Sequence, residues 1–498
     1  MHAAKAKKPW LPLPPPLTAK TSIAASCPTS PSSLSWPKAT PSLSWISPPS
    51  SRRGLAAVTL FTTPGRNAAF ARGALAKAGA GDDDTAVVVE LPFPDDGGHG
   101  AAAAAGSAED VASASCFSAF IEATSLLRPW FEDALAASLL GRRARRPKAV
   151  VHGRVRVHAA LGVPRLSFMG ASAFTQVVRE LAMRDKPGAT PTPHQDGHPG
   201  SDDDASTDTY TVPVFPHLRF KLSEFAPMSA SDIELHAKAS AAVAASQGVI
   251  VNTFQDLESR YIDHWNRCIG PRAWPIGPLC LARYSHSVDD RVHAKPSWIR
   301  WLDEEAEVGR AVLYIALGTL AAIPEAQLKE VADGLDRAGV DFLWAVRPSN
   351  ADLGTGFEDR VEGRGKGVRE WVDQWEILQH TSIRGFLSHG GWNSVLESIT
   401  AGVPMAVWPI EFEQPMNARF LVDELKVGIR IYTDGGRFSL VKSEEVTRVV
   451  RELMFGEEGA IVSASVKAMG VRARLPMLQG GSSWKIVEEM IGELCTAT

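Results

Sequence analysis

The chain has 498 residues, 45% of them hydrophobic and 22% charged, a globular composition with room for two or three domains. A formal net charge of −4 excludes a broad electrostatic attraction to nucleic acid, and no apolar run approaches the ~20 residues of a membrane-spanning helix. Cys27, Cys116, Cys268, Cys280 and Cys495 are scattered with no CxxC pair or metal-finger spacing, so a reduced, cytoplasmic chain is expected.

In chain order, residues 1–54 stand apart. They are rich in Pro, Ser, Lys and Arg, and no acidic residue precedes Asp82, a composition that suits a disordered tail or a transit peptide. A strand–helix alternation begins at Leu55. AAVTLF (56–61) and TAVVVELP (85–92) read as buried strands, with a helix from about Asn67 between them. Helical periodicity runs from about residue 108 to 140, and the basic run RRARRPK (142–148) reads as a solvated loop. PKAVV (147–151) and PRLSF (164–168) are short strands, a polar loop fills 186–211, and GVIVNTF (248–254) precedes a helix from Asp256.

The stretch 275–296 reads as a linker, and the alternation then restarts. AVLYIALGT (311–319), DFLWAVR (341–347), IRGFLSH (383–389), MAVWP (405–409) and VGIRIY (427–432) are strands. The segment 324–339 is a helix with Pro in its first turn and Gly after its end. Strands with little polar alternation, separated by helices, predict parallel sheets covered on both faces. The expected class is α/β, with two doubly wound domains at 55–280 and 297–480. Residues 281–296 join them, and a last helix lies within 481–498. Ligands of such sheets sit at the carboxyl ends of strands.

His389 ends one strand of the second unit and is followed by Gly390 and Gly391, which let backbone approach a ligand closely. Asn393 or Ser394 can cap the next helix, and Gly402 can end it. The free N–H groups and dipole of a helix start form an anion site that suits a pyrophosphate, with His389 as a further donor. A plain capped helix beside a core histidine fits the same residues. Trp371 can offer a flat face to a base. Glu397 shares a helical face with Asn393 and can accept from two ribose hydroxyls. Glu413 and Gln414, an acid and an amide at another strand exit, suit the vicinal hydroxyls of a sugar.

Residues 371–414, WVDQWEILQHTSIRGFLSHGGWNSVLESITAGVPMAVWPIEFEQ, resemble the signature segment of plant family 1 UDP-sugar glycosyltransferases. VLYIALGT, VNTFQDLE, the WPIGPL linker and GGSSWKIVEEMI extend the resemblance over most of the chain from Leu55 onward. It implies a GT-B fold, with two Rossmann-like domains facing across a cleft and the final helix (about 483–494) crossing back to the first. Trp371 would stack on uracil, with the Val372 backbone and Gln374 near base and ribose. Glu397 would hold the ribose, and His389, Asn393 and Ser394 the pyrophosphate, with Thr319 nearby. Trp392, Glu413 and Gln414 would read the sugar, and the final Gln resembles glucose-preferring members. Asp373 stands where Pro is usual and Gly390 where Cys is common. The resemblance implies a monomer that takes UDP-glucose as co-substrate and a hydroxylated small molecule such as a flavonoid or phenolic as acceptor, with no cofactor, metal, nucleic acid or membrane span.

Inverting transfer needs a base to take the acceptor's proton, and the family keeps a His for this just after its first strand. Before Arg52 this chain has 11 prolines and His2 alone among histidines, so the expected reading is a frame change upstream of Arg52 and a first domain without its first strand. The family's orienting Asp is also missed. VVHGRVRVHAALGVP follows the matching strand, and His152 and His158 there read as surface histidines. The catalytic pair is therefore unassigned. Two readings stay open, a hexose transferase and a UDP-sugar-binding relative or mis-predicted product without useful catalysis. A nucleotide-sugar epimerase on a related fold is disfavoured by the signature.

Overall fold

The computed structural model describes residues 22–26, 58–62, 68–69, 71–72, 86–91, 127–140, 147–152, 163–185, 209–225, 229–282, 295–318, 323–346, 353–354, 356–433 and 439–496. In the first domain these include β1 (Ser22–Ser26), β2 (Val58–Thr62), β3 (Ala86–Glu90), α1 (Arg128–Leu140), β4 (Pro147–His152), β5 (Arg165–Met169) and α2 (Ala173–Asp185). A short antiparallel pair, β6 (Thr209–Thr211) and β7 (Arg219–Lys221), leads to α3 (Ala230–Ala244), β8 (Gly248–Val251), α4 (Gln255–Cys268) and β9 (Ala273–Pro275). Seven strands form one parallel sheet in the order β3-β2-β1-β4-β5-β8-β9. The order reverses between β1 and β4, which sets the crevice of this domain at their carboxyl ends.

That order corrects the expectation of a missing first strand. Ile23, Ala24 and Ala25 pair with Val58, Thr59 and Leu60 on one side and with Ala149, Val150 and Val151 on the other. The run SIAAS lies between Pro16 and Pro28 and carries no proline itself, so every residue keeps the N–H a ladder needs. A disordered reading of 1–54 as a whole is corrected with it. Residues 1–21 and 27–54, including His2, lie outside the described residues. So do 92–126, where the long helix was expected to begin, and 153–162, which contain His158.

The second domain contains α5 (Ser297–Glu307), β10 (Val312–Ala316), α6 (Glu325–Ala338), β11 (Asp341–Ala345), α7 (Phe357–Arg360), β12 (Gly365–Val368) and α8 (Gln374–Leu378). Then come β13 (Ile383–Ser388), α9 (Trp392–Ala401), β14 (Met405–Val407), α10 (Gln414–Arg419) and β15 (Gly428–Arg430). The helices α11 (Ser443–Phe455), α12 (Glu457–Arg474) and α13 (Ser482–Thr496) close the chain. Its six strands are parallel, in the order β12-β11-β10-β13-β14-β15. The switch point lies between β10 and β13, the strands that lead into Gly318 and His389. Inside, the rings of Tyr314 on β10 and Phe386 on β13 stack with centroids 5.0 Å apart. α6 stops at Gly339, whose φ of 67° is the left-handed cap that glycine adopts without steric cost.

The domains share apolar core. Phe174 of α2 stacks on Phe420, just past α10, with centroids 4.7 Å apart, and Tyr261 of α4 meets Phe174 edge-on. α2 begins in this seam. Glu258 of α4 caps it, accepting from Phe174 N at 2.7 Å and Ala173 N at 3.2 Å. α13 returns to the first domain. Its Val487, Met490 and Leu494 are buried with Leu60, Val151, Leu166, Ile250 and Trp274, and Ser483 Oγ donates to Gly277 O at 2.7 Å. Among the described residues no helix is long and apolar enough to cross a membrane.

Candidate functional site

The sequence places His389 one residue past β13, and the structure wedges its ring between two glycines. A Cβ on Gly318 would lie 3.0 Å from Cδ2 and Nε2 of the imidazole, and one on Gly391 2.5 Å from Nε2. Neither position has room for a side chain while the ring stays. Gly390, between His389 and Gly391 in the chain, has a φ of 79°, and its carbonyl accepts from Asn417 Nδ2 at 2.9 Å. The imidazole is thus held at the switch point by close backbone on both sides. Thr319, expected nearby, lies outside the described residues.

α9 starts beside it. Its N-cap is Gly391, which supplies no side-chain cap, and this corrects the expectation that Asn393 or Ser394 caps the helix. A side chain on residue 391 would strike His389, so the cap position must be glycine, and Asn393 and Ser394 fall within the first turn. Their side chains are turned to other partners. Ser394 Oγ accepts from Gln374 Nε2 at 2.9 Å, and Asn393 Oδ1 accepts from Asn252 Nδ2 at 3.0 Å. The backbone N–H groups of the first turn remain outside the helix ladder, as at any helix start. α9 ends at Gly402, φ 74°, in the place the sequence put it.

Gln374 opens α8 and bridges to α9, since its Nε2 also donates to Glu397 Oε2 at 2.7 Å. Glu397 is 8% exposed. Asp373, the departure from Pro, has a local purpose. Its carboxylate accepts from Trp375 N at 3.1 Å and Glu376 N at 3.4 Å, capping α8. Val372 is buried, whereas Trp371 is 57% exposed and presents a large aromatic surface next to α8.

The IEFEQ segment makes a tight turn after β14. Phe412 has a φ of 54°, an uncommon value for a residue with a Cβ, and Glu413 follows as the N-cap residue of α10. Gln414 Oε1 accepts from Ile410 N at 2.9 Å and Glu411 N at 2.8 Å, so its carbonyl end is engaged by the turn. Glu413 and Gln414 are both buried. Trp392 is 1% exposed, and its Nε1–H donates to the Asn252 carbonyl at 2.7 Å. Its indole N–H thus ties the start of α9 to the first domain.

Four residues of this region escaped the sequence reading. Asn252 bonds to Asn393 and Trp392. Thr175 Oγ1 donates to Asn417 Oδ1 at 2.9 Å, so Asn417 ties α2 to the Gly390 turn. Glu224, nearly buried, accepts from Arg430 Nη1 at 2.7 Å and Arg419 Nη2 at 3.0 Å. Burial pushes this carboxyl up, but the hydrogen bonds and charges of Arg419 and Arg430 outweigh it and hold it below the usual carboxylate range. On the first-domain side of the cleft the structure ends β4 at His152.

The arrangement combines a histidine locked at a switch point, an uncapped helix start, a Gln–Glu pair one turn along, and an exposed tryptophan. Residues 294–434 match the family model described as UDP-glucoronosyl and UDP-glucosyl transferase. UDP-glycosyltransferase 90A1 of Arabidopsis thaliana is 37% identical over 455 residues, covering 88% of this chain and 89% of that protein. UDP-glucose flavonoid 3-O-glucosyltransferase 7 of Fragaria ananassa is 30% identical over 403 residues, 75% of this chain and 79% of that protein. The fold is that of solved plant enzymes. Glycyrrhiza uralensis UGT73P12, complexed with glycyrrhetinic acid 3-O-monoglucuronide, superposes with a TM-score of 0.77 at 23% identity, covering 96% of each chain. Phytolacca americana UGT2, complexed with UDP-2fluoro-glucose and pterostilbene, gives 0.75 at 24% identity, covering 95% of this chain and 100% of that one. With sequence identity sustained over nearly the whole length of the first relative, and a signature segment folded into one site, the chain belongs to the plant family 1 UDP-glycosyltransferases.

Proposed function

We propose that the chain binds UDP-glucose at the second-domain switch point and transfers the glucose, with inversion, to a hydroxyl of a small lipophilic acceptor such as a flavonoid or phenol. The observation that carries this reading is the bond from Gln374 to Glu397, 2.7 Å long, set one turn above the His389-gated helix start. It holds a carboxylate that suits a ribose on the same helix whose first-turn N–H groups suit a pyrophosphate. In this reading Trp371 stacks on the base beside the Val372 backbone. Glu397, held by Gln374, accepts from the ribose. His389, Asn393, Ser394 and the first-turn N–H groups take the pyrophosphate, with Thr319 close by. Glu413 and the Gln414 amide N–H₂ face the sugar hydroxyls, and Gln414 favours glucose.

As the acceptor oxygen bonds to the anomeric carbon, the carbon–oxygen bond to UDP breaks and its electron pair goes to the β-phosphate. Donors aimed at that developing charge lower the barrier. The acceptor proton needs a base, and none is assigned. A second reading, UDP-sugar binding without turnover, is favoured by one observation: no carboxylate occurs between Lys148 and Pro164, where the family's orienting Asp would follow β4. UDP release from UDP-glucose with a panel of flavonol and phenol acceptors separates the two. Release supports transfer, and calorimetric UDP binding without release supports the second. If UDP-glucose and UDP-galactose raise the unfolding temperature equally at matched concentration, the glucose assignment falls.

A further inference from the structure

Asn252 follows β8 in the first domain, is 5% exposed, and makes three hydrogen bonds whose directions are forced. Leu279 N reaches its side-chain oxygen at 2.9 Å. A backbone N–H can only donate, so that atom must be Oδ1. The other end of the amide is therefore the N–H₂ group, which lies 3.0 Å from the Asn393 side chain. A donor there requires an acceptor opposite, so the Asn393 atom facing it must be Oδ1. The Asn393 N–H₂ group is turned away from Asn252 as a consequence. The Asn252 carbonyl meanwhile accepts from Trp392 Nε1 at 2.7 Å, so the same residue grips α9 at two successive first-turn positions. Gly277 holds it from behind, where a Cβ would come within 2.6 Å of Oδ1.

We propose that Asn252 is a positioning residue that sets the polarity of Asn393. It makes the Asn393 amide present hydrogens, and not its carbonyl, to an anion at the start of α9. This rests on the reading of that helix start as the pyrophosphate site. The chain of inference is Leu279 N–H to Asn252 Oδ1, then Asn252 N–H to Asn393 Oδ1, then Asn393 N–H outward. An isolated second domain lacks the first link, and its Asn393 amide is free to turn either way. Docking of the two domains thus decides whether a second-domain side chain attracts or repels phosphate oxygen.

The inference has a signature that ordinary damage to packing would not give. In Asn252→Asp both side-chain oxygens accept, so Leu279 keeps its partner while Asn393 must rotate to donate inward and show its carbonyl outward. Asn252→Ala removes the constraint and lets Asn393 choose. Calorimetry on the full-length chain should find UDP affinity about tenfold weaker for Asn252→Asp, and less than about threefold weaker for Asn252→Ala. Uridine, which has no phosphate, should bind all three equally. In an Asn393→Ala background, Asn252→Asp should add little, since no amide is left to turn. Equal loss of UDP affinity in the Ala and Asp variants, parallel loss for uridine, or an undiminished effect of the added charge in the Asn393→Ala background would overturn the inference and leave the donor site intact. A wild-type chain that binds uridine and UDP equally would overturn the pyrophosphate reading itself, and this inference with it.

Discussion

Gln374 and Glu397 are joined Nε2 to Oε2 at 2.7 Å, although one opens α8 and the other lies midway along α9. The amide fixes the orientation of the Glu397 carboxylate. Glu397→Ala should weaken UDP binding by about 1.5–3 kcal/mol, the range of hydrogen bonds to a charged group. The wild-type chain should also bind UDP more tightly than its 2′,3′-dideoxy analogue, and the variant should bind both alike. A variant that still distinguishes the two by the same factor would remove the ribose role.

His389→Ala should cost UDP about 1.5–3 kcal/mol of affinity, through loss of a donor to phosphate. Its partner test is Gly318→Ala. The new Cβ would lie 3.0 Å from the imidazole, on a backbone with a φ of 84°. The backbone alone should cost about 1–2 kcal/mol of stability, and the collision should add to it and displace the ring. In His389→Ala the same glycine replacement should show only the backbone part. Denaturant midpoints of the four chains check this, and additive effects would mean that the ring is not held by Gly318.

Glu224 should make the domain seam sensitive to acid. Arg419 and Arg430 hold its folded pKa below the ordinary value of 4.5, so the unfolded chain takes up this proton first as pH falls. The stability it contributes is fully present above about pH 4.5 and is lost as pH drops through the folded pKa. Glu224→Gln leaves two guanidinium groups without their carboxylate and should cost on the order of 3–5 kcal/mol at pH 7. Unfolding free energies from pH 7 to pH 3 should show the acid-dependent loss in the parent and a shallower one in the variant.

Glu258 should act in the opposite sense. Burial raises its pKa to about 7, against the backbone N–H bonds of Phe174 and Ala173 that pull it down. Between its ordinary value of 4.5 and about 7 the folded state holds a proton that the unfolded state has released. Stability from this group is therefore greatest below pH 4.5 and declines as pH rises toward 7, by at most about 3 kcal/mol across that window. Glu258→Gln should flatten this part of the profile. An unchanged slope between pH 5 and pH 7 would mean that Glu258 is ionised in the folded chain at pH 5.

The parts of the site that could be read in advance are those a short stretch of chain determines. A strand leading into His389, two glycines after it, and Gly402 past the helix follow from hydrophobic runs and backbone sterics. Asp373 could have been read too, because an acid two residues before Trp375 is an ordinary helix cap. The parts that could not be read depend on partners far along the chain. Asn252 and Asn393 are 141 residues apart, and Thr175 and Asn417 are 242 apart. No local pattern distinguishes them from other polar residues. β1 was missed for another reason. Its five residues form sound strand chemistry inside a segment whose overall proline content argues against any strand, so composition outweighed the local run.

The packing of α13 has a consequence for how the molecule is made. The first domain is synthesised first, yet Val487, Met490 and Leu494 belong to its interior. Domains commonly fold in turn as they leave the ribosome. Here the first must wait with the flank formed by Leu60, Val151 and Trp274 uncovered until the whole second domain has been translated. A nascent chain therefore carries a sticky apolar face for most of its synthesis. Removing a few residues at the far end should injure the domain at the near end, leaving the second domain to fold beside it.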